Sequence, residues 1–360
     1  SNLRTSASAC FPSVETGGLG YGLAIAKRLL GLPDQTVERP VLKWQIPLEA
    51  RVRLVTDALR NMSLDARKLA PVVLFCGHGS RTQNNPYGSS LDCGACGGHK
   101  GDVNARFAAA LMNDPEVRDE LKRRHIAIPA DTVFVAGLHV TTTNEVLLYE
   151  TDLLTPEQYE NLQGWLRNAS EMLGTKGERR SRDWSEVRPE WGLAGNAAFI
   201  AATRSRTRSL DLGGRVYLHD YDAALDTDGS VLSLILTAPV VVASWINLQY
   251  YGSTVNNKLF GSGNKALHNV VGTFGIGEGN AGDLRTGLPM QSLHDGDKWM
   301  HEPLRLQVFV EAPRARIDNV LAAQPKVKEL MENEWIHLIA MEGRAFYERQ
   351  AEGSWRRMSE

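Results

Sequence analysis

The sequence predicts an α/β protein with a parallel βαβ core and a second α/β subdomain. Two short, continuous apolar runs, Val72-Val73-Leu74-Phe75 and residues 132–138 (TVFVAGL), have the composition that strands buried on both faces require. Helical patterns lie between them, so the strands are expected to be parallel and joined by a right-handed crossover. Residues 304–310 (LRLQVFV), a helical pattern around 314–333 and a strand pattern at 335–341 repeat that arrangement further along.

The elements follow in order. The first forty residues are punctuated by Gly and Pro, with one short helical pattern at 21–30. Val52, Val55, Leu59 and Met62 recur at helical spacing and predict a helix from Pro47 to about Met62. The first strand stops in Cys76-Gly77-His78-Gly79-Ser80. A Gly- and Asn-rich loop then runs to about Asp102, followed by helices at 103–112 and 115–124. Asp114-Pro115 suits an N-cap followed by Pro at the first helical position. The second strand ends at His139 and, after one valine, three threonines. In such sheets ligands collect outside the carboxyl ends of the strands, and both strands deliver a histidine there. Beyond Thr155-Pro156 a helix runs to about Leu173, then a basic stretch at 176–182, and strands at 197–202 and 215–218. The expected division is residues 1–150 for the core and 151–360 for the second subdomain.

At 360 residues the chain has room for one large or two ordinary domains. Apolar residues make up 42% and charged residues 23%, the balance of a soluble globular chain. Forty basic against 42 acidic residues leave a net charge of −2, which gives no electrostatic reason to expect nucleic acid as a partner. No membrane span is expected, because the most apolar run, residues 231–246, is short and interrupted by Pro239. No secretory leader is read at the start, and a chain opening at Ser1 is expected to be a piece of something longer. Four cysteines are too few for a disulfide scaffold. Three of them, Cys76, Cys93 and Cys96, crowd together, which points to metal or redox chemistry.

Cys76, His78, Cys93, Cys96 and His99 lie within 24 residues. Thiolate and imidazole are the ligands zinc prefers, at about 2.0–2.3 Å in a tetrahedral shell. Three chemistries suit such a cluster. The first is a self-contained structural zinc site from four of the five residues, against which the tight Cys76-x-His78 spacing counts. The second is a cysteine–histidine hydrolase, since His78-Gly79 after a strand and Ala95-Cys96-Gly97-Gly98 resemble caspase motifs. That reading fails because 17 residues without a strand separate His78 from Cys96, too few for a crossover between parallel strands. The third is a catalytic zinc whose ligands are only partly in this chain.

The stretches LFCGHGSRTQNNPYGSSLDCGACGGHKGDVNAR, IPADTVFVAGLHVTTTNE, RSLDLGGRVYLHDYD and HEPLRLQVFVEAPRARID resemble the DabA family of inorganic-carbon transporter subunits, over nearly the whole chain. The resemblance implies a core like that of β-type carbonic anhydrase, holding Zn2+. It implies hydration of carbon dioxide to bicarbonate, coupled to a membrane-embedded, proton-channel-like partner of the DabB type. It places the protein at the cytoplasmic face of the inner membrane as a peripheral subunit. In that family the zinc is held by a Cys-x-Asp pair from an upstream strand, a histidine and a second cysteine. The last two match His78 and Cys93. The Cys-x-Asp pair has no counterpart here, since none of Cys10, Cys76, Cys93 or Cys96 is followed by Asp two residues later. Two thiolates and an imidazole leave a fourth position, which the aspartate closes until it lets go and water takes its place; zinc lowers the pKa of that water from 15.7 to about 7. The general base and the substrate pocket are not placed by the sequence. The rival reading is a non-catalytic zinc-binding interaction module built from Cys76, His78, Cys93 and Cys96.

Weaker signals remain. His139 is placed either to orient His78 or a substrate, or to cap backbone. Gly275-x-Gly277-x-Gly279 lacks the spacing of a dinucleotide fingerprint and is read as a tight turn. Asp226-Thr227-Asp228-Gly229 begins like a calcium loop but lacks the Glu at the twelfth position, so it too is read as a turn. The basic stretch at 176–182 is read as a solvated loop. Residues 231–251 are read as a buried helix and as the candidate face for the membrane partner.

Overall fold

The computed structural model describes residues 45–81, 92–173, 193–271, 275–279 and 283–358. The expectations for the first forty residues and for the basic stretch lie outside these. Helix α1 (Leu48–Asn61) buries Val52, Val55 and Leu59, the residues whose spacing predicts it. Strand β1 (Val72–Gly79) is followed by α2 (Asp102–Asn113), α3 (Pro115–Arg123) and β2 (Val133–Val140). Asp114 caps α3 as its sequence suggests, its carboxylate accepting from the Glu116 and Val117 N–H groups.

Strands β1 and β2 are parallel, paired from Val72 with Val133 to Gly79 with Val140. The first strand therefore continues through Cys76, Gly77 and His78 instead of stopping at Phe75, because β2 offers partners along its whole length. Strand β3 (Glu145–Tyr149), which the sequence reading did not include, returns antiparallel to β2. Asn144, at φ 60°, makes that reversal. Side chains alternate across the sheet. Phe75, Ala136, Leu138, Val140, Leu147 and Tyr149 pack with α1, α2 and α3 in one core. Each large side chain so buried contributes roughly 1.5–3 kcal/mol. The other face carries Cys76, His78 and His139, and helix α4 (Pro156–Leu173) packs there against β3.

The second unit begins with β4 (Ala198–Ala202) and β5 (Val216–Asp220), followed by α5 (Ser230–Thr237), α6 (Pro239–Val255) and α7 (Asn257–Phe260). A small antiparallel sheet of β6 (His268–Val271), β7 (Gly275–Glu278) and β8 (Leu284–Arg285) comes next. Gly275 and Gly277 thus lie in a strand, which corrects the tight turn read there, while Gly279, at φ 58°, does turn. Then come β9 (Leu306–Val310), α8 (Arg314–Ala323), α9 (Pro325–Glu332), β10 (Ile336–Glu342), β11 (Ala345–Arg349) and β12 (Trp355–Arg357). The six-stranded sheet runs in the order β12-β11-β10-β9-β4-β5. Its four strands from β10 to β5 are parallel, and β11 and β12 extend it antiparallel. The single helix expected over 314–333 is two, parted at Gln324, because Pro325 has no N–H to continue the ladder.

Pro239 parts α5 from α6 in the same way. The run Ser230–Val255 is, by length and composition alone, long and apolar enough to cross a membrane. It exceeds the stretch read from the sequence because uncharged residues after Ile246 prolong it. One side of it, including Leu232, Ile235, Leu236, Val240 and Ala243, lies in the core over the six-stranded sheet. Asp226 sits in the turn its sequence suggests and is buried. Its carboxylate accepts hydrogen bonds from the Val231 and Leu232 N–H groups at 3.0 and 2.9 Å and from the Tyr221 hydroxyl at 3.0 Å. It therefore caps the start of α5.

Candidate functional site

His78 on β1 lies in register with His139 on β2, and Cys76 with Gly137. Alternation puts Cys76 and His78 on the same side, away from the core that holds Val73 and Phe75.

The segment 92–101 is fastened to this strand end at both of its own ends. At one, the Asp92 carboxylate accepts from the Ser80 N–H at 2.6 Å and from the Ser80 hydroxyl at 3.0 Å. At the other, the Gly101 N–H donates to the His78 carbonyl at 2.8 Å. The approach is so close that a Cβ on Gly77 would sit 2.3 Å from the Gly101 carbonyl oxygen. Between these tethers the chain turns tightly. The Cys93 N–H donates to the His99 carbonyl at 3.1 Å, and the Cys93 carbonyl accepts from the Cys96 and Gly98 N–H groups at 3.1 and 3.0 Å. Gly97 and Gly98 supply the positive φ that the turn needs, 66° and 79°. Cys93 is thereby brought, buried, to the end of the strand that carries His78.

The other cysteines differ in setting. Cys96 is half-buried and accepts from Asn104 Nδ2 at 3.4 Å. The Cys93 thiol beside it, and then burial, push its pKa up. Cys76 is exposed at the residue level, yet packing around its sulfur pushes its pKa up, with the His139 backbone pulling the other way. His78 also reaches solvent while protein packs around its ring. That desolvation lowers its pKa, the neighbouring His139 lowers it further, and Asp92 acts in the opposite sense.

A cleft of about 340 Å³ opens on this face. Cys76, His78 and His139 form its floor, and Val146 of β3 with Leu166 and Ala169 of α4 form its wall. The rim is pinned where the Ser170 hydroxyl donates to the Asn144 carbonyl at 2.6 Å. Sequence reasoning missed these wall and rim residues, because none carries chemistry of its own. Their only signals were the pattern after Pro156 and the alternation over 145–149.

Among the described residues no three His, Cys, Asp or Glu side chains form a group able to hold a metal ion. Cys76, His78, Cys93 and Cys96 are accordingly not gathered into one four-ligand set. The donor chemistry of His78 and Cys93, one imidazole and one thiol tethered to the same strand end, fits half of a zinc shell and not a whole one.

Two sheets containing parallel strands, with helices packed on them and a cleft at the carboxyl ends of β1 and β2, define the class: an α/β protein. A family model described as probable inorganic carbon transporter subunit DabA matches residues 1–336, so the chain belongs to the DabA family. It is 51% identical to probable inorganic carbon transporter subunit DabA 2 of Bradyrhizobium sp. (strain BTAi1), over 86% of this chain and 39% of that protein. It is 52% identical to DabA of Rhodopseudomonas palustris (strain TIE-1), over 88% and 42%, and 47% identical to DabA2 of Halothiobacillus neapolitanus, over 98% and 47%. The chain thus spans less than half the length of each of these relatives. No solved structure matches it.

Proposed function

We propose that this chain supplies the His78–Cys93 half of a zinc site that hydrates carbon dioxide to bicarbonate within an inorganic carbon uptake complex. The observation that supports the reading is the double tether of the segment 92–101, which holds the backbone around Cys93 to the end of the strand that carries His78. Zinc, when bound, supplies a water activated for attack on carbon dioxide at neutral pH. His78 and Cys93 would hold it, with the remaining ligands coming from a Cys-x-Asp segment outside this chain. The chain's own part is positional. Asp92, through Ser80, fixes where Cys93 stands, and His139 stands beside His78 at the cleft floor. The word subunit in the relatives' names supports work in a complex. The partner in this reading is a membrane-embedded, proton-channel-like subunit, with the chain peripheral on the cytoplasmic face.

The test is bound-zinc stoichiometry on this chain, alone and joined to the upstream Cys-x-Asp portion. Near-zero zinc alone and one zinc in the joined protein is the expected result. Cys93→Ser then removes zinc and carbon dioxide hydration, while Cys96→Ser leaves the metal in place. One tightly held zinc in the isolated chain, or zinc retained by Cys93→Ser, would overturn the assignment in favour of a structural zinc module.

A further inference from the structure

We propose that Cys93 and Cys96 are a peroxide-sensitive dithiol, and that closing them into a disulfide takes the Cys93 sulfur away from zinc. This rests on the reading of Cys93 as a zinc ligand. It goes beyond that reading by giving a redox role to Cys96, which the zinc assignment leaves idle.

The two cysteines are the ends of a Cys-Gly-Ala-Cys turn, and the Cys96 N–H donates to the Cys93 carbonyl at 3.1 Å. A turn closed in this way holds its outer Cα atoms within about 7 Å, the separation across which a disulfide forms. The thiols are already neighbours, since the Cys93 side chain is a hydrogen-bond partner of the Cys96 thiol. Asn104 Nδ2, at 3.4 Å from the Cys96 sulfur, holds that side chain in place. A Cβ at Gly94 or Gly97 would meet nothing within 4 Å, so the turn has room to tighten.

Their settings divide the roles. Cys93 is 8% exposed, whereas Cys96 is half-buried on a turn whose Gly94, Ala95 and Gly97 are all exposed. A small oxidant arriving from solvent therefore meets Cys96 first. With hydrogen peroxide as that oxidant, the Cys96 thiolate attacks one oxygen and the O–O bond breaks. That oxygen stays on sulfur as a sulfenic acid, and the other leaves as hydroxide and takes up a proton. The Cys93 thiolate then attacks the Cys96 sulfur, the S–S bond forms, and the S–O bond breaks to release a second water. Two thiols and one peroxide thus become one disulfide and two waters, each sulfur giving up one electron. Zinc binds thiolate, and a disulfide sulfur carries no such charge, so His78 loses its companion ligand. A thiol reductant reverses the change.

The experiment titrates hydrogen peroxide against full-length, zinc-loaded protein. At each dose the remaining thiols are alkylated, the peptides are mapped by mass spectrometry, and bound zinc is measured. The expected product is a peptide spanning Cys93 and Cys96 that escapes alkylation at both and is lighter by two hydrogens. It should grow as zinc falls, and dithiothreitol with added zinc should reverse both. Cys96→Ser leaves Cys93 without a partner and is expected to hold its zinc to about tenfold more peroxide. Thiol loss without a Cys93–Cys96 bond, or zinc lost from Cys96→Ser at the original dose, would overturn this inference and leave the zinc reading standing. A Cys93–Cys96 bond formed with all zinc retained would overturn Cys93 as a ligand, and this inference with it.

Discussion

His78 and His139 stand opposite each other on adjacent parallel strands, so two imidazoles share one end of one small sheet. The charge of the His139 ring opposes a proton on His78. For His78, burial is the larger cause of a lowered pKa, His139 is the second, and Asp92 opposes both. In the zinc-free chain His78 should titrate below the ordinary histidine value of 6.5. Replacing His139 with Gln removes the second cause and moves the His78 midpoint upward, still short of 6.5 because burial remains. The shift of the His78 ring protons with pH, followed by NMR, reads this directly. A midpoint unmoved by His139→Gln would show that the two rings do not sense each other.

Gly77 is where the cysteine-bearing segment meets the sheet. The atom that a Cβ would strike is the Gly101 carbonyl oxygen, and the next nearest are also Gly101 backbone, so no flexible side chain can swing aside. Gly77→Ala must therefore push the segment 92–101 off the strand or bend β1. Overpacking of this kind costs about 1–3 kcal/mol. The expected outcome is a melting temperature several degrees lower, together with loss of zinc from the joined protein. Ala at Gly94, where a Cβ would meet nothing within 4 Å, serves as the control and should leave both unchanged. Equal effects at the two positions would remove the steric argument.

The parts of this fold that a local pattern specifies were legible in the sequence. The VVLF and TVFVAGL runs marked β1 and β2, and Asp114-Pro115 marked the start of α3. His78 and His139 could be placed at strand ends because each lies within three residues of the end of an apolar run. What was not legible depends on partners distant in sequence. Strand β1 extends past Phe75 only because β2 pairs with it through Val140, and GIGE becomes a strand only between β6 and β8. The cleft wall is the clearest case. Val146, Leu166 and Ala169 are ordinary aliphatic residues until β3 and α4 bring them over His78. The tethers from Ser80 to Asp92 and from Gly101 to His78 belong to the same kind, since nothing local in a Gly-rich loop says where its ends attach.

Acid sensitivity in this chain should trace in part to His301, which packs against Tyr250 of α6. The residue is 2% exposed, its Nδ1 accepts the Gly195 N–H at 3.1 Å, and its ring lies 5.1 Å from that of Tyr250. An acceptor at Nδ1 leaves the neutral ring's proton on Nε2. Burial first, and then the positive charge of Arg215, lower its pKa to about 4, with Glu302 opposing them. The unfolded chain binds this proton near pH 6.5 and the folded chain only near pH 4, so between those values the unfolded state holds more protons. The contribution of neutral His301 is therefore intact above about pH 6.5 and is lost progressively as pH falls toward 4. The slope reaches at most about 1.4 kcal/mol per pH unit. His301→Asn keeps an acceptor for the Gly195 N–H and removes the titration. Urea unfolding followed from neutral pH down to about pH 4 should give a flatter curve for the variant than for the original chain. An equally steep acid loss in both would assign that loss to other groups.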